Sequence, residues 1–336
     1  MSTLNLQGQI QLQGFLNFSY KIYGETTNWI NNLNTYGLPL PSANVLNAVN
    51  NLLGGLYNNN LRSKIKRLNL FCGGDWRGSL FPLITDLGNP VWDYNGVKGA
   101  TFSDLITGPF QAGDWSLVNG FDPKSNTSIT GTTQSANGMY LDTGVLANLS
   151  NFTGGSIHTA VYINNNGNKT TTDRITDIGA AYGTYGIALR ANYRPNNNNP
   201  GFLTYSLASN STTNALLYSS TTPFDTKGFI IGTRTDLSST TFYKNTTKPT
   251  PQINYYNPNT NTVTNNTMPN ATITIFSMGA ANAANSGLGY ARTQNAEYSD
   301  RQTTMYSIGG GLSDIDVTNY NNLISAFNNS IGRSNY

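Results

Sequence analysis

The chain has one cysteine, one histidine and few charges in its 336 residues. A lone Cys72 excludes an intramolecular disulfide framework. One cysteine and one histidine cannot supply the spaced ligands of a structural zinc site, and no cofactor is expected. Cys72 ends the apolar run Leu68-Asn69-Leu70-Phe71-Cys72, which reads as a buried strand with an inert thiol. Charged residues make up 10% of the chain, against roughly 25% in average proteins. The net charge of +3 is too small to imply nucleic acid or a membrane surface as partner. No run approaches the roughly 18 apolar residues of a membrane span. The first residues, Met1-Ser-Thr-Leu-Asn-Leu-Gln-Gly-Gln9, have neither the basic nor the apolar region of a secretory signal, so none is expected.

What the chain has instead is Asn, Thr, Ser and Gly, together with 20 tyrosines. A hydrophobic content of 38% over this length suffices for a sizeable core. Low charge density weakens repulsion between identical neighbours, which suits an assembly. Three parts are expected. Residues 1–27 alternate weakly (Leu4, Leu6, Ile10, Leu12) and read as an extended arm. Residues 28–67 read as a helical lead-in. Trp29, Ile30 and Leu33 start a short helix stopped by Gly37 and Pro39. Ser42 then caps a longer one with Val45, Leu46, Val49, Leu52, Leu53 and Leu56 on one face. Residues 68–336 carry short apolar or alternating runs between Gly, Asn, Pro and Asp turns, including 80–84, 139–143, 156–163, 174–178, 186–191, 202–207, 227–233, 240–243, 271–278 and 303–308. That density of short strands predicts a sandwich rather than alternating β-α units.

The last residues read as strand, glycine turn and capped helix. Tyr306 and Ile308 lie at strand period, and Gly309-Gly310-Gly311 breaks the run. Ser313 and Asp316 have capping-box spacing. Val317, Tyr320, Leu323, Ile324, Phe327 and Ile331 form one helical face. Gly332 stops the helix, and Arg333 places a cation at its negative end. This ending resembles a pattern of tailed-phage structural proteins, in which Ser-Ile-Gly-x-Gly-Leu leads into a short helix finishing in Gly-Arg. The matching residues are Ser307, Ile308, Gly309, Gly311, Leu312, Tyr320, Phe327, Gly332 and Arg333. Two short helices before an apolar strand ending in Gly73-Gly74-Asp75 are similar to the opening segment of the same proteins. The pair Phe229–Arg234 and Thr241–Asn245 looks like a hairpin of the laminin-G type, with Thr246 where glycine is usual. The resemblance implies a mainly β, concanavalin-A-like jelly-roll sandwich with a short helical N-terminal segment and a C-terminal helix.

The residues that could carry chemistry are few. His158, on the run Ser156–Ile163, has no Gly-x-Ser-x-Gly elbow beside it and reads as a structural hydrogen-bonding residue. A glycosidase needs two carboxylates about 5–10 Å apart. Asp173 and Asp177 would share a strand face but lie roughly 13 Å apart, and Glu25 and Glu297 have no close partner except Asp300 beside the latter. No enzyme activity is expected. Aromatic platforms with amide and hydroxyl donors suit sugars, and the best cluster is Tyr182, Tyr185, Arg190, Tyr193 and Arg194. Trp76, Trp92 and Trp115 read as core plugs or interface anchors. Arg62, Lys64, Lys66 and Arg67 form the one basic cluster. It is a candidate interface with an acidic neighbour or a phosphate backbone, and the plainer reading is a solvated helix end.

The expectation is a non-enzymatic virion protein: a head-surface decoration or fibre, or a tail component. Its partners are copies of itself, other virion proteins and host-surface glycans, with no nucleic acid and no membrane insertion. The alternatives are a capsid lattice protein, or a lectin- or glycosidase-like carbohydrate-active protein.

Overall fold

A computed structural model describes residues 22–87, 104–107, 110–123, 140–147, 156–166, 176–182, 185–193, 202–207, 215–219, 225–236, 240–249, 252–254, 272–277, 279–280 and 299–336. The expected arm up to residue 21 lies outside them.

Two helices open the described chain: α1 (Gly24–Thr35) and α2 (Ala43–Asn58). Ser42 caps α2 as its position predicts, its hydroxyl accepting from Val45 N at 3.4 Å. α1 starts ahead of the boundary expected at residue 28. Its N-terminus has no cap of its own, but Asn50 of α2 supplies one: its side-chain oxygen accepts from Tyr23 N (3.0 Å) and Thr26 Oγ1 (3.4 Å). A sequence reading limited to local caps misses a cap supplied from α2.

Strands follow. Strands β1 (Ile65–Asn69), β2 (Ile84–Thr85), β4 (Trp115–Ser116), β5 (Gly120–Phe121), β7 (Ile157–Ile163), β12 (Gly228–Arg234), β13 (Thr240–Lys244) and β17 (Thr303–Gly309) build one sheet, ordered β13-β12-β7-β17-β1-β2 with β5 on β17 and β4 on β5. A second sheet is ordered β14-β11-β10-β9-β8-β15-β6-β3, with β16 added to β8. Its strands are β3 (Leu105–Thr107), β6 (Tyr140–Leu146), β8 (Thr176–Tyr182), β9 (Tyr185–Tyr193), β10 (Phe202–Leu207), β11 (Ala215–Ser219), β14 (Gln252–Asn254), β15 (Thr272–Ile275) and β16 (Gly279–Ala280). The described pairings are antiparallel except β16 with β8. Helix α3 (Asp314–Ser330) closes the chain. The architecture is the expected mainly β sandwich with helical segments at both ends.

The first sheet is the middle of three layers. One face packs on the helices: Ala160, Tyr162, Phe229, Ile231 and Met305 share a core with Leu53, Leu56, Tyr320 and Ile324. The other face meets the second sheet: Val161, Ile163, Ile230, Tyr306 and Ile308 share a core with Leu141, Ile178, Ile273 and Ile275. Burial on both sides explains why β7, β12 and β17 are buried at every residue rather than alternating. Each fully buried Leu or Ile in these cores is worth about 2 kcal/mol.

The C-terminal motif supplies the seam. β17 lies between β7 and β1, so the end of the chain is inserted beside its beginning. A Cβ on Gly309 would sit 2.0 Å from Lys64 O, and one on Gly311 would sit 2.1 Å from Arg234 O. Gly310 between them meets nothing nearer than 3.7 Å. The Gly-x-Gly spacing is therefore a packing requirement at its outer positions alone. The capping box forms as predicted, Ser313 and Asp316 each bonding the other's backbone N–H. Gly332 (φ +77°) ends α3, with Arg333 N donating to Asn328 O at 2.9 Å and Gly332 N to Asn329 O at 3.3 Å.

Two expectations are corrected. The segment 80–84 is not one strand. Asp75 organises a turn there: its Oδ1 accepts from Gly78 N (2.8 Å) and its carbonyl from Ser79 Oγ (2.9 Å), giving a short 3-10 turn at Gly78–Leu80 before β2. In the β12–β13 hairpin region, the turn after β13 needs no glycine at 246. Asn245 adopts φ +55° itself, and its Oδ1 accepts from Phe229 N at 2.8 Å. Strands β3, β4, β5, β11, β14 and β16 were not apparent in the sequence, being short or set in polar stretches.

Candidate functional site

The described surface has a polar cleft where α1 meets the chain leaving α2 and strand β2. It is built around Arg62. Leu61 N and Arg62 N both donate to Leu56 O (2.8 and 3.1 Å), turning the chain sharply off α2. The turn aims the guanidinium between α1 and β2. Nε donates to Glu25 Oε1 at 2.5 Å, and Nη1 and Nη2 grip both oxygens of Asp86 at 2.7 and 2.8 Å. Tyr57 Oη donates to the same Glu25 oxygen at 2.7 Å, and its ring stacks on Tyr23 at 5.0 Å. Burial alone would raise the Glu25 carboxyl, but hydrogen bonds from Arg62 and Tyr57 outweigh it and hold the group below the ordinary glutamate value. The bonds to Asp86 lead the opposite effect on Arg62, which is raised above its ordinary value. The cleft encloses about 340 Å³ and is also lined by Asn28, Asn32, Trp29, Pro82, Leu83 and Thr85. Glu25, Asn28 and Asn32 recur at i, i+3 and i+7, which places them on one face of α1. That spacing is the signal the sequence carries for this face, and the second carboxylate of the cleft, Asp86, is distant from it in sequence.

The basic cluster is divided among several partners. Arg62 belongs to the cleft. Lys64 pairs with Asp316 of the α3 capping box at 2.5 Å, tying the start of β1 to the helical layer. Arg67 points into the sandwich, fully buried, with Asp104 at 2.7 Å, Tyr306 Oη at 3.2 Å and Thr143 O at 3.1 Å. Lys66 is partly exposed on the same strand. The cluster is not a solvated helix end, because β1 alternation and the turn off α2 send its members in different directions.

The candidate catalytic groups are held in structural contacts. His158 is buried, with Nδ1 2.6 Å from Gly310 O and Nε2 3.0 Å from Ser307 Oγ. A carbonyl only accepts, so Nδ1 carries the proton and Nε2 takes the serine hydroxyl. Burial lowers the imidazole pKa to about 4, against smaller opposing effects of Gly310 and Asp316. Asp177 pairs with Arg301 at 2.9 Å and accepts from Ser299 Oγ at 2.7 Å. Cys72 is buried, which pushes its thiol up to about 12. Asp173 and Glu297 lie outside the described residues. Among the described residues, no group of His, Cys, Asp and Glu is arranged to hold a metal ion, and no helix is long and apolar enough to cross a membrane.

The tyrosine cluster falls on the β8–β9 hairpin. Tyr182 is opposite Tyr185, and Arg190 and Tyr193 lie further along β9, where they pair with Thr204 and Phe202 of β10. Arg194 lies outside the described residues, as does Trp92. Trp76 and Trp115 pack against the inter-sheet core, and Trp115 Nε1 donates to Phe71 O at 3.2 Å.

Arg333 does more than its position predicted. Instead of resting at the helix end it is buried, and it donates to the carbonyls of Leu117 (2.7 Å), Leu70 (2.9 Å), Thr304 (3.0 Å) and Phe71 (3.0 Å). Burial lowers its pKa to about 10.

No family model matches the sequence, and no curated protein matches it. Among solved structures, the chain is similar to the binding domain of botulinum neurotoxin DC in complex with rat synaptotagmin II. The TM-score is 0.40, the identity 14%, and the match covers 70% of this chain and 50% of that chain. A structure of botulinum neurotoxin type C, whose cell entry is dependent upon interaction with two ganglioside molecules, matches with TM-score 0.36, 13% identity and coverage of 70% and 50%. Domain 4 of AbnA, a GH43 extracellular arabinanase from Geobacillus stearothermophilus in complex with arabinotriose, matches with TM-score 0.35, 12% identity and coverage of 76% and 98%. The chain spans about half the length of the neurotoxin chains it matches.

Proposed function

We propose that this chain is a non-enzymatic structural and adhesive protein of a tailed-phage particle, in the head surface or the tail. It assembles through contacts between copies and holds host-surface glycans weakly and many times over, so that avidity makes up for poor single-site affinity. The observation that carries this reading is where the charges go. In a chain with 10% charged residues, Arg62, Lys64, Arg67, Arg77, Lys244, Lys248 and Arg301 each pair with a carboxylate of the same chain. Copies therefore present little net field to one another, and close lateral packing meets weak repulsion. The structural duties of His158, Asp177 and Cys72 support a role without catalysis. The resemblance of the Ser307–Leu312 and Gly332-Arg333 segments supports the virion setting.

Light scattering across a concentration series tests the assembly half. Oligomers at high protein concentration are expected, and a monomer throughout contradicts it. The lectin reading is favoured by one observation, the polar cleft around Arg62 and its two carboxylates, and it predicts sugar binding by the isolated chain without any particle.

A further inference from the structure

We infer that the Arg62 cleft is a saccharide subsite selective for neutral over acidic sugars; this deepens the adhesive reading and rests on it. Its volume of about 340 Å³ is at the small end of ligand clefts and suits a mono- or disaccharide. The ligand class follows from the side chains. Asn28 and Asn32, one turn apart on α1, line the cleft and offer amide donors and acceptors for sugar hydroxyls. Tyr57, 45% exposed and braced from behind by Tyr23, offers a rigid ring for the apolar face of a sugar. Asp86, with a side chain 35% exposed, keeps acceptor capacity beyond its two bonds to Arg62.

Charge then decides between sugars. Glu25 and Asp86 outnumber Arg62, leaving one negative charge. The arginine's Nε and both Nη groups are engaged by these carboxylates and by Ile65 O, so it is poorly placed to take up an incoming anion. A sialylated or uronic sugar meets repulsion, whereas a neutral hydroxylated ring meets acceptors and amides. Because Arg62 fixes both carboxylates and Tyr57 is tied to Glu25, the site is preorganised and loses little on binding.

The test is an immobilised array of neutral, amino and sialylated mono- and disaccharides probed with the full chain, with affinities confirmed by calorimetry. The variants are Asn28→Ala with Asn32→Ala, and separately Tyr185→Ala. Both asparagines are on the outer face of α1, and circular dichroism with a melting curve verifies the fold. The expected result is binding of a neutral sugar at least tenfold tighter than its sialylated counterpart, weakened tenfold or more by the double asparagine variant and unchanged by Tyr185→Ala. Neutral-sugar binding that survives the asparagine changes but is lost in Tyr185→Ala moves the site to the β8–β9 hairpin; it overturns this inference and leaves the adhesive reading intact. A preference for sialylated sugars also overturns it. No binding to any sugar, even on a dense array, overturns both.

Discussion

Arg333 donates through Nη2 to the carbonyl of Phe71 at 3.0 Å, across 262 positions of sequence. Phe71 is itself unusual, with φ +47° and a side chain fully buried against Phe121 and Tyr306. Its carbonyl, just past the end of β1, is shared by Trp115 Nε1 and the guanidinium. One terminal side chain thus satisfies the backbone where β1 ends, where β4 ends and where β17 begins. Arg333→Ala strips the carbonyls of Leu70, Thr304 and Leu117 of this donor and leaves Phe71 O with Trp115 Nε1 alone, and the expected loss is about 3 kcal/mol or more in chemical denaturation. Arg333→Lys keeps the charge but not the planar set of donors, and should recover only a small part. Near-normal stability of both variants would contradict this role.

The glycine turn makes a sharper prediction, because three adjacent residues should behave differently. Gly309→Ala and Gly311→Ala drive a methyl into the backbone at Lys64 and Arg234, and should each cost about 1–3 kcal/mol or prevent folding. Gly310→Ala should change stability by less than about 0.5 kcal/mol. Equal effects at all three positions would mean that the Gly-x-Gly pattern does not reflect close packing of β17 against β1 and the end of β12.

His158 is the only histidine, so its imidazole resonances can be followed by NMR without ambiguity. The expected midpoint is about 4, with burial as the main cause. The sign follows from the unfolded chain binding the proton more readily than the folded one. Stability from this group is complete above pH 6.5, falls as the pH drops toward 4, and is constant below that. The whole contribution is about 3 kcal/mol. A midpoint near 6.5 would show that the Gly310 and Ser307 contacts do not hold the neutral ring.

Arg67 and Asp104 test the sandwich interior. Neither side chain is exposed, and Asp104 also accepts from Asn69 Nδ2 at 2.8 Å and from Tyr306 Oη at 2.8 Å. Asp104→Asn leaves a buried guanidinium without its counter-charge and should cost about 3–5 kcal/mol. A loss below about 1 kcal/mol would mean that water reaches Arg67.

Much of the frame was legible in the sequence because its signals are local. Ser42, and Ser313 with Asp316, marked helix starts, and each is seen bonding the backbone group its spacing predicts. The runs at 156–163, 202–207, 227–233 and 303–308 read as strands because β-branched and aromatic residues are bounded by turn residues, and each lies within a residue of an observed strand. What could not be read is long-range. Arg62, Lys64 and Arg67 look alike in sequence, yet their partners, Glu25, Asp86, Asp316 and Asp104, come from four other segments. The cleft was hidden for the same reason: it exists only once α1, the turn after α2 and β2 meet.

A virion role requires that this protein be built into a particle in many copies. Quantitative mass spectrometry of purified phage particles, from a lysate or prophage-bearing host that carries the gene, tests it most directly. The chain is expected in stoichiometric amounts, at high copy if it covers the head and at lower copy if it belongs to the tail. Its absence from intact particles, with the protein present elsewhere in the culture, would rule out the virion role.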